Sequence, residues 1–166
     1  MHRSDHRTAS LAAALAAFLA LLIAYGSERM LGLVPCALCL LERWPWRIAL
    51  VLGLIAAILP RLQGRLVLGV LGLTLLASAA LAFVHVGVES HFWPSPLPEC
   101  AAPHLSGHTV AQLLASMPAR PSKPCDAPTF LIPGLPLSMA AMNLLYSLVF
   151  LGLLVGWFLQ SRRGAR

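Results

Sequence analysis

The sequence predicts an all-α membrane protein, a four-transmembrane-helix bundle with a long Pro-rich periplasmic loop that carries a short amphipathic helix. Three observations predict it. The chain of 166 residues is 58% hydrophobic and 11% charged, a composition suited to a bilayer and not to water. Apolar runs long enough to cross the hydrocarbon core recur between groups of arginines. Ten of the thirteen prolines fall between Pro94 and Pro136, which marks one stretch as a loop outside the lipid. The net charge of +6 sits at the ends of the apolar runs, with no stripe interleaved with exposed aromatics, so it is a topology signal and not a nucleic-acid footprint.

The elements follow in order along one integral membrane domain, residues 1–166. Residues 8–26 carry no charge and, at about 1.5 Å per residue, reach roughly 28 Å, close to the hydrocarbon thickness. This is the first span. A cleaved leader is the competing reading, with Arg3 and Arg7 as its basic region and Ala24-Tyr25-Gly26 as its cleavage site, but the apolar run is longer than a leader needs. The second span, 44–60, is interrupted only by Arg47, and it crosses if Trp44, Trp46 and a snorkelling Arg47 sit at the interface. Arg61 and Arg65 flank a tight turn, after which residues 66–84 form the third span. The fourth lies at about 136–160, where Gly152-Leu153-Leu154-Val155-Gly156 presents a small-xxx-small face expected to pack on a neighbouring helix. External loops occupy about 27–43 and 85–134. Within the second, Thr109-Val110-Ala111-Gln112 reads as a capping box, and Val110, Leu113, Leu114 and Met117 recur at helical spacing, which predicts a short helix lying on the membrane surface.

Lys and Arg fix the orientation. One side of a four-span chain receives Arg3, Arg7, Arg61, Arg65, Arg162, Arg163 and Arg166, the other Arg29, Arg43, Arg47, Arg120 and Lys123. The richer side is cytoplasmic by the positive-inside rule, so both termini are cytoplasmic. All four cysteines then face the opposite compartment, in a bacterium the oxidising periplasm, where an even set reads first as disulfides.

Cys36-Ala37-Leu38-Cys39 is the chemical centre of the chain. Two thiols at this spacing make either a redox site or half of a zinc site. Four cysteines allow three connectivities; if Cys36 pairs with Cys39, Cys100 is left for Cys125. That second bridge could simply staple the loop, worth about 3 kcal/mol in chain entropy. Two bridges, one at the membrane and one in the external loop, can instead pass electron pairs by thiol exchange from a soluble donor towards lipid. For zinc, His104 and His108 form a His-x-x-x-His pair that could join the cysteines, but an external dithiol is more often oxidised than metallated, and no metal is expected. Arg43 and Arg47 follow Cys39 at four-residue steps, so on one continuous helix a guanidinium stands beside Cys39 and favours its thiolate. Pro45 leaves two geometries open, a helix starting near Pro45 or one starting near Pro35 and kinked. No haem motif, nucleotide fingerprint or cluster spacing occurs, so the electron sink lies in the membrane, and a lipid-soluble quinone fits.

These features together resemble the bacterial DsbB family, the disulfide bond formation protein B of the inner membrane. The resemblance covers nearly the whole chain. It is carried by Pro35-Cys36-Ala37-Leu38-Cys39 before the second span, Glu42-Arg43 after it, Trp93-Pro94-Ser95-Pro96 leading to Cys100, and Cys125 before the fourth span. It implies a protein dithiol:quinone oxidoreductase whose catalytic residues are Cys36, Cys39, Cys100 and Cys125, with Arg43 binding ubiquinone or another membrane quinone. Its partner would be a periplasmic thioredoxin-like oxidase of the DsbA type. Cys100 would take the partner as a mixed disulfide, Cys125 would attack on the Cys36 side, and Cys39 would face the quinone. DsbA itself stands at about −120 mV and ordinary structural disulfides below about −300 mV, a gap of roughly 180 mV or about 8 kcal/mol, so the relay disulfides must be unusually reducible or pulled onward by the acceptor. Pro45 and the Trp44/Trp46 pair depart from the familiar pattern. Where certain members place a functional histidine near the end of the third span, this chain has Gly87, and neither His85 nor His91 is assigned a role. The alternatives are a paralogue with a dedicated thiol client and a non-enzymatic tetraspan protein whose loops are stapled by disulfides.

Overall fold

The computed structural model describes residues 6–100, 109–115, 123–132 and 134–163. Six α-helices are present there: α1 (His6–Leu31), α2 (Ala37–Leu41), α3 (Arg43–Ile58), α4 (Arg61–Glu89), α5 (Val110–Ala115) and α6 (Met139–Arg163). A short 3-10 turn, Pro98–Cys100, leads into the proline-rich segment. No strand occurs among the described residues, only an isolated bridge between Phe130 and Ser138. Three helices, α1, α4 and α6, are long and apolar enough to cross a membrane. With 16 residues α3 is shorter, about 24 Å at 1.5 Å per residue.

Small residues let the helices approach. Ala14, Ala16 and Ala17 of α1 and Ala49 and Ala56 of α3 are all buried. A Cβ at Gly53 would lie 2.9 Å from the backbone nitrogen of Ala14, so α1 and α3 touch at a point that no larger residue permits. Leu68, Leu71 and Leu75 of α4 complete the core with Trp46 and Leu154. Leu11, Leu15, Phe18, Leu73 and Leu153 instead point outward, as lipid-facing side chains do. Polar ties cross the apolar interior: Ser78 and Ser147 are hydrogen-bonded at 3.0 Å between α4 and α6, and the Tyr146 hydroxyl donates to the Ala16 carbonyl at 2.9 Å.

One end of the bundle gathers the start of α1, the α3–α4 turn and the C-terminal end of α6. There the His6 ring meets the Leu59 carbonyl at 3.2 Å, and Arg65 donates to Ser161 at 2.9 Å. The cysteines lie at the other end, where Cys36, Cys100 and Cys125 are buried together with Leu38 and Val88.

Several sequence expectations change. The redox helix starts at Ala37, directly after Pro35 and Cys36, and breaks at Glu42 (φ −61°, ψ −17°). The break has a cause: Pro45 lacks the N–H that would bond the Leu41 carbonyl, and it is tolerated as the third residue of α3. Of the two tryptophans expected at the interface, Trp44 is exposed, but Trp46 turns into the core. Nothing lies within 4 Å of a Cβ placed at Gly152 or Gly156, so the small-xxx-small face does not pack on a neighbouring helix; α6 meets α4 through Ser147 and Leu154 instead. Thr109 caps α5, the Gln112 backbone amide donating to its hydroxyl at 3.3 Å, which is one half of the expected capping box. Met117 lies outside the described residues.

Replacing Gly53 with Leu should force α1 from α3 and cost about 1–3 kcal/mol, the usual penalty of overpacking. A lowered unfolding midpoint of the detergent-solubilised protein is the expected reading; an unchanged midpoint would mean the two helices do not meet there.

Candidate redox site

Pro35 cannot continue a helix backwards, so the helical register begins at Cys36. The thiol itself caps α2: Cys36 has extended backbone (φ −83°, ψ 173°), and its Sγ accepts the Cys39 amide at 3.1 Å. The second cysteine falls on the first turn above it, and the two sulfurs stand 2.7 Å apart. A disulfide bond is about 2.05 Å long, so a small approach closes the pair. Cys36 is fully buried, whereas Cys39 is partly exposed.

The two thiols differ in acidity. Hydrogen bonding from the Cys39 thiol holds Cys36 below the usual thiol range, against the opposing effect of burial, and the Cys39 amide adds to the lowering. Cys39 is pushed far up, first by its hydrogen bond to Cys36, then by burial and by the charge on Cys36. Cys36 is therefore the first of the reduced pair to ionise, and Cys39 the one that holds its proton longer. Arg43 does not alter this, because it makes no hydrogen bond to Cys39. Its guanidinium is ion-paired with Glu28 and lies 4.9 Å from the Tyr25 ring centre, while Arg47 donates to the Tyr25 hydroxyl. The expected guanidinium beside Cys39 is thus a guanidinium drawn to α1.

What stands beside the dithiol is His85. Helix α4 continues past Val84 to Glu89, and the buried His85 ring places Nε2 3.4 Å from the Cys36 sulfur. Its Nδ1 is 2.7 Å from Glu42 Oε1, and Glu42 Oε2 accepts the Asn143 amide at 2.7 Å. Asn143 Oδ1 in turn accepts the Trp46 indole N–H at 2.8 Å. Behind His85, Glu89 Oε1 lies 3.9 Å from Nε2, and the other Glu89 oxygen accepts from Ser138. A continuous polar chain therefore runs from Cys36 through α4 and the α2–α3 joint to α6. Gly87 has a different task, since the Trp93 indole occupies the position a Cβ would take and donates to the Val84 carbonyl at 3.0 Å.

Cys39, Glu42 and Arg43 open onto a cleft between α1, α3 and α6, with Trp46, Asn143 and Tyr146 along its walls. Its empty space, mouth included, is about 780 Å³. Arg43 is 6% exposed and its Nε–H has no acceptor among the described residues, an orphaned donor at the cleft.

The second pair is a formed disulfide, Cys100–Cys125, and the Cys125 amide bonds the Cys100 carbonyl at 3.2 Å. Both of its cysteines are buried beside Cys36. A metal could draw on Cys36, Cys39 and His85, whose ligand atoms lie within 4.8 Å of one another. The sulfurs, however, are 2.7 Å apart, where tetrahedral zinc would hold two thiolates about 3.8 Å apart, so the pair is set for a bond between sulfurs. His104 and His108 lie outside the described residues.

From the sequence, Glu42 entered only as part of the Glu42-Arg43 motif and His85 was assigned no role, while Asn143 and Glu28 were not singled out. An available signal was the amide of Asn143 within an apolar run, since a polar side chain at membrane depth has to be partnered.

A model of the family described as "Disulfide bond formation protein DsbB" matches residues 6–157. An uncharacterized protein of Rickettsia prowazekii (strain Madrid E), RP370, is 30% identical over 141 residues, covering 82% of this chain and 80% of its own. No solved structure matches.

Titrating the reduced protein should separate the two thiols. Thiolate absorbance is expected to rise in one step below the ordinary thiol pKa of about 8.5 and in a second step well above it. Cys39→Ala removes the donor to Cys36 and should move the first step upward; a single step of two thiolates near the ordinary value would contradict the assignment.

Proposed function

The chain belongs to the DsbB family, which makes it a disulfide-forming membrane protein with oxidoreductase activity, and from that premise we propose that it is a protein dithiol:quinone oxidoreductase that reoxidises a periplasmic DsbA-like oxidase. The observation that carries the reading is the shared cleft of Cys39, Glu42 and Arg43, where a redox sulfur meets an unpartnered cationic donor in apolar surroundings.

Thiol chemistry supplies the steps. A thiolate of the reduced partner attacks Cys100, giving a mixed disulfide and releasing Cys125 as thiolate. The partner's second thiol resolves that bond, so the partner leaves oxidised and Cys100 is left reduced. Cys125 attacks Cys36 of the closed Cys36–Cys39 pair, forming Cys36–Cys125 and freeing Cys39. Burial of Cys36, Cys100 and Cys125 in one cluster supports this exchange. Cys36 is the foremost cause of the raised Cys39 pKa, and bonding Cys36 to Cys125 removes that cause. Cys39 then becomes the reactive thiolate at the cleft, as the relay requires. Cys100 attack on Cys125 re-forms the loop disulfide and releases Cys36 as a thiolate, and Cys36 closes again with Cys39 as two electrons leave for the quinone that the cleft would hold.

A quinone fits the residues present. Arg43 Nε–H would donate to a quinone carbonyl oxygen, and Trp46 and Tyr146 would flank its ring. When bound, a quinone supplies an acceptor for two electrons and two protons. Protons reach the cleft through His85: a ring protonated at both nitrogens would donate from Nε2 to the Cys36 thiolate and from Nδ1 to Glu42, so it can hand a proton to a carboxylate that borders the cleft. Ubiquinone or another membrane quinone is the acceptor we propose.

The whole of residues 1–166 is proposed as one inner-membrane domain of four spans, with α3 as the second crossing and both termini cytoplasmic. At about 24 Å, α3 is short for a hydrocarbon core of about 30 Å, and Arg47 at its start can snorkel to the interface. Support for the orientation comes from the basic residues Arg7, Arg61, Arg65 and Arg162, which belong to the end of the bundle away from the cysteines. The proline-rich segment would then be periplasmic, with α5 lying on the membrane.

Purified protein given a reduced thioredoxin-like oxidase and a short-chain ubiquinone tests the assignment. Cys39→Ser should abolish quinone reduction while Cys100 still traps the partner. Arg43→Gln should raise the quinone KM by about 10- to 100-fold, corresponding to about 1.4–2.8 kcal/mol of lost charge-assisted hydrogen bonding. Wild-type turnover by Cys39→Ser would return the chain to the alternative of a stapled structural protein.

A further inference from the structure

One polar side chain at the cleft has no part in the thiol relay. Asn143 stands near the start of α6, and its two hydrogen bonds reach Glu42 at the α2–α3 break and Trp46 in α3. The polarity of these partners is fixed. An indole N–H only donates, and the Glu42 oxygen that faces Asn143 accepts. Between them the side chain has to accept at one end and donate at the other, which a carboxamide does and which neither Asp nor Leu can. Turning the amide over would set Oδ1 against a carboxylate and Nδ2 against an N–H, so its orientation is dictated as well.

Each partner has a second role. Glu42 uses its other oxygen to hold His85, so Asn143 keeps the carboxylate aligned between His85 and the cleft. Trp46 is 4% exposed and leans on Tyr146, with ring centres 5.2 Å apart and planes at 58°. Tyr146 is itself anchored by the Ala16 carbonyl. Two aromatic walls of the cleft are therefore each pinned by a single hydrogen bond, and for Trp46 that bond is to Asn143. A planar, electron-poor ring is bound well by aromatic faces only when those faces are held still.

We infer that Asn143 is a positioning residue for the quinone site, holding Trp46 as a fixed wall and Glu42 as a fixed carboxylate without contacting the reacting atoms. This rests on the reading of the cleft as the quinone site. The two links separate by function: the Trp46 link governs affinity, and the Glu42 link governs proton delivery.

Full-length Asn143→Leu and Asn143→Asp, each in detergent, test it. Binding of a short-chain ubiquinone is read by tryptophan fluorescence; turnover gives KM and kcat, and partner trapping at Cys100 gives an independent measure of fold. Leu cuts both links, and is expected to weaken quinone binding and raise KM by about 10-fold, with trapping at the wild-type rate. Asp keeps an acceptor for Trp46 but sets a second carboxylate against Glu42, so binding should stay within about 3-fold of wild type while kcat falls by about 10-fold. Wild-type constants in both variants would overturn the inference, as would a parallel loss of binding and partner trapping, which signals a purely structural residue. Should Leu fail to fold, the kcat-only loss expected of Asp still decides. A wild-type protein that binds no quinone overturns the redox reading, and this inference with it.

Discussion

A buried carboxylate, Glu42, is the constraint around which this end of the molecule is arranged. Placing a carboxyl group at 6% exposure is costly unless each of its oxygens finds a partner. Glu42 meets the condition by drawing one partner from α4, His85, and another from α6, Asn143. It also sits at the break between α2 and α3, where Pro45 prevents continuous helical bonding. One side chain thus ties three segments together and brings the histidine of one against the cysteine pair of another. Apolar packing alone would leave the helices free to slide, since lipid solvates Leu as well as a neighbouring helix does.

The same arrangement divides the dithiol. Cys36 faces inward, towards His85 and the Cys100–Cys125 bridge, and Cys39 faces the cleft. In the relay proposed above, exchange with the loop disulfide and reaction with the lipid-borne acceptor fall to different sulfurs of one Cys-x-x-Cys turn. The helix N-terminus contributes as well, because the Cys39 amide donates to Cys36 and favours charge there. Arg43 shows the cost of a buried cation: it borders the cleft, yet Glu28 and the Tyr25 ring hold it on α1, leaving Nε–H as the free donor. A ligand at the cleft meets a guanidinium already neutralised on one edge.

Much of this was legible in the sequence because lipid imposes a simple rule. Charge-free runs of sufficient length become helices, and α1, α4 and α6 follow the runs that composition marks. Cys-x-x-Cys after a proline likewise announces its own local geometry. What escaped depends on contacts between distant segments. His85 looked like the first residue of a loop, because a polar residue ended the apolar run; the helix continues to Glu89 since Glu42 and Ser138, supplied from elsewhere, satisfy its polar last turn. Asn143 lay unremarked in an apolar run for the same reason. The arginine spacing after Cys39 suggested one continuous face, but Glu28, fifteen residues earlier on another helix, decides where Arg43 points. Periodicity reports which residues share a face and not which partner that face meets. Gly152 and Gly156 make the point again, as a small-residue stripe with no helix against it.

The most direct test of the central claim is the stoichiometry of quinone reduction in sealed vesicles holding this chain, with a reduced thioredoxin-like donor on the side of the cysteines alone. One quinone should be reduced for each donor dithiol oxidised. Donor oxidation without quinone reduction, or quinone reduction driven only from the opposite side, would contradict it.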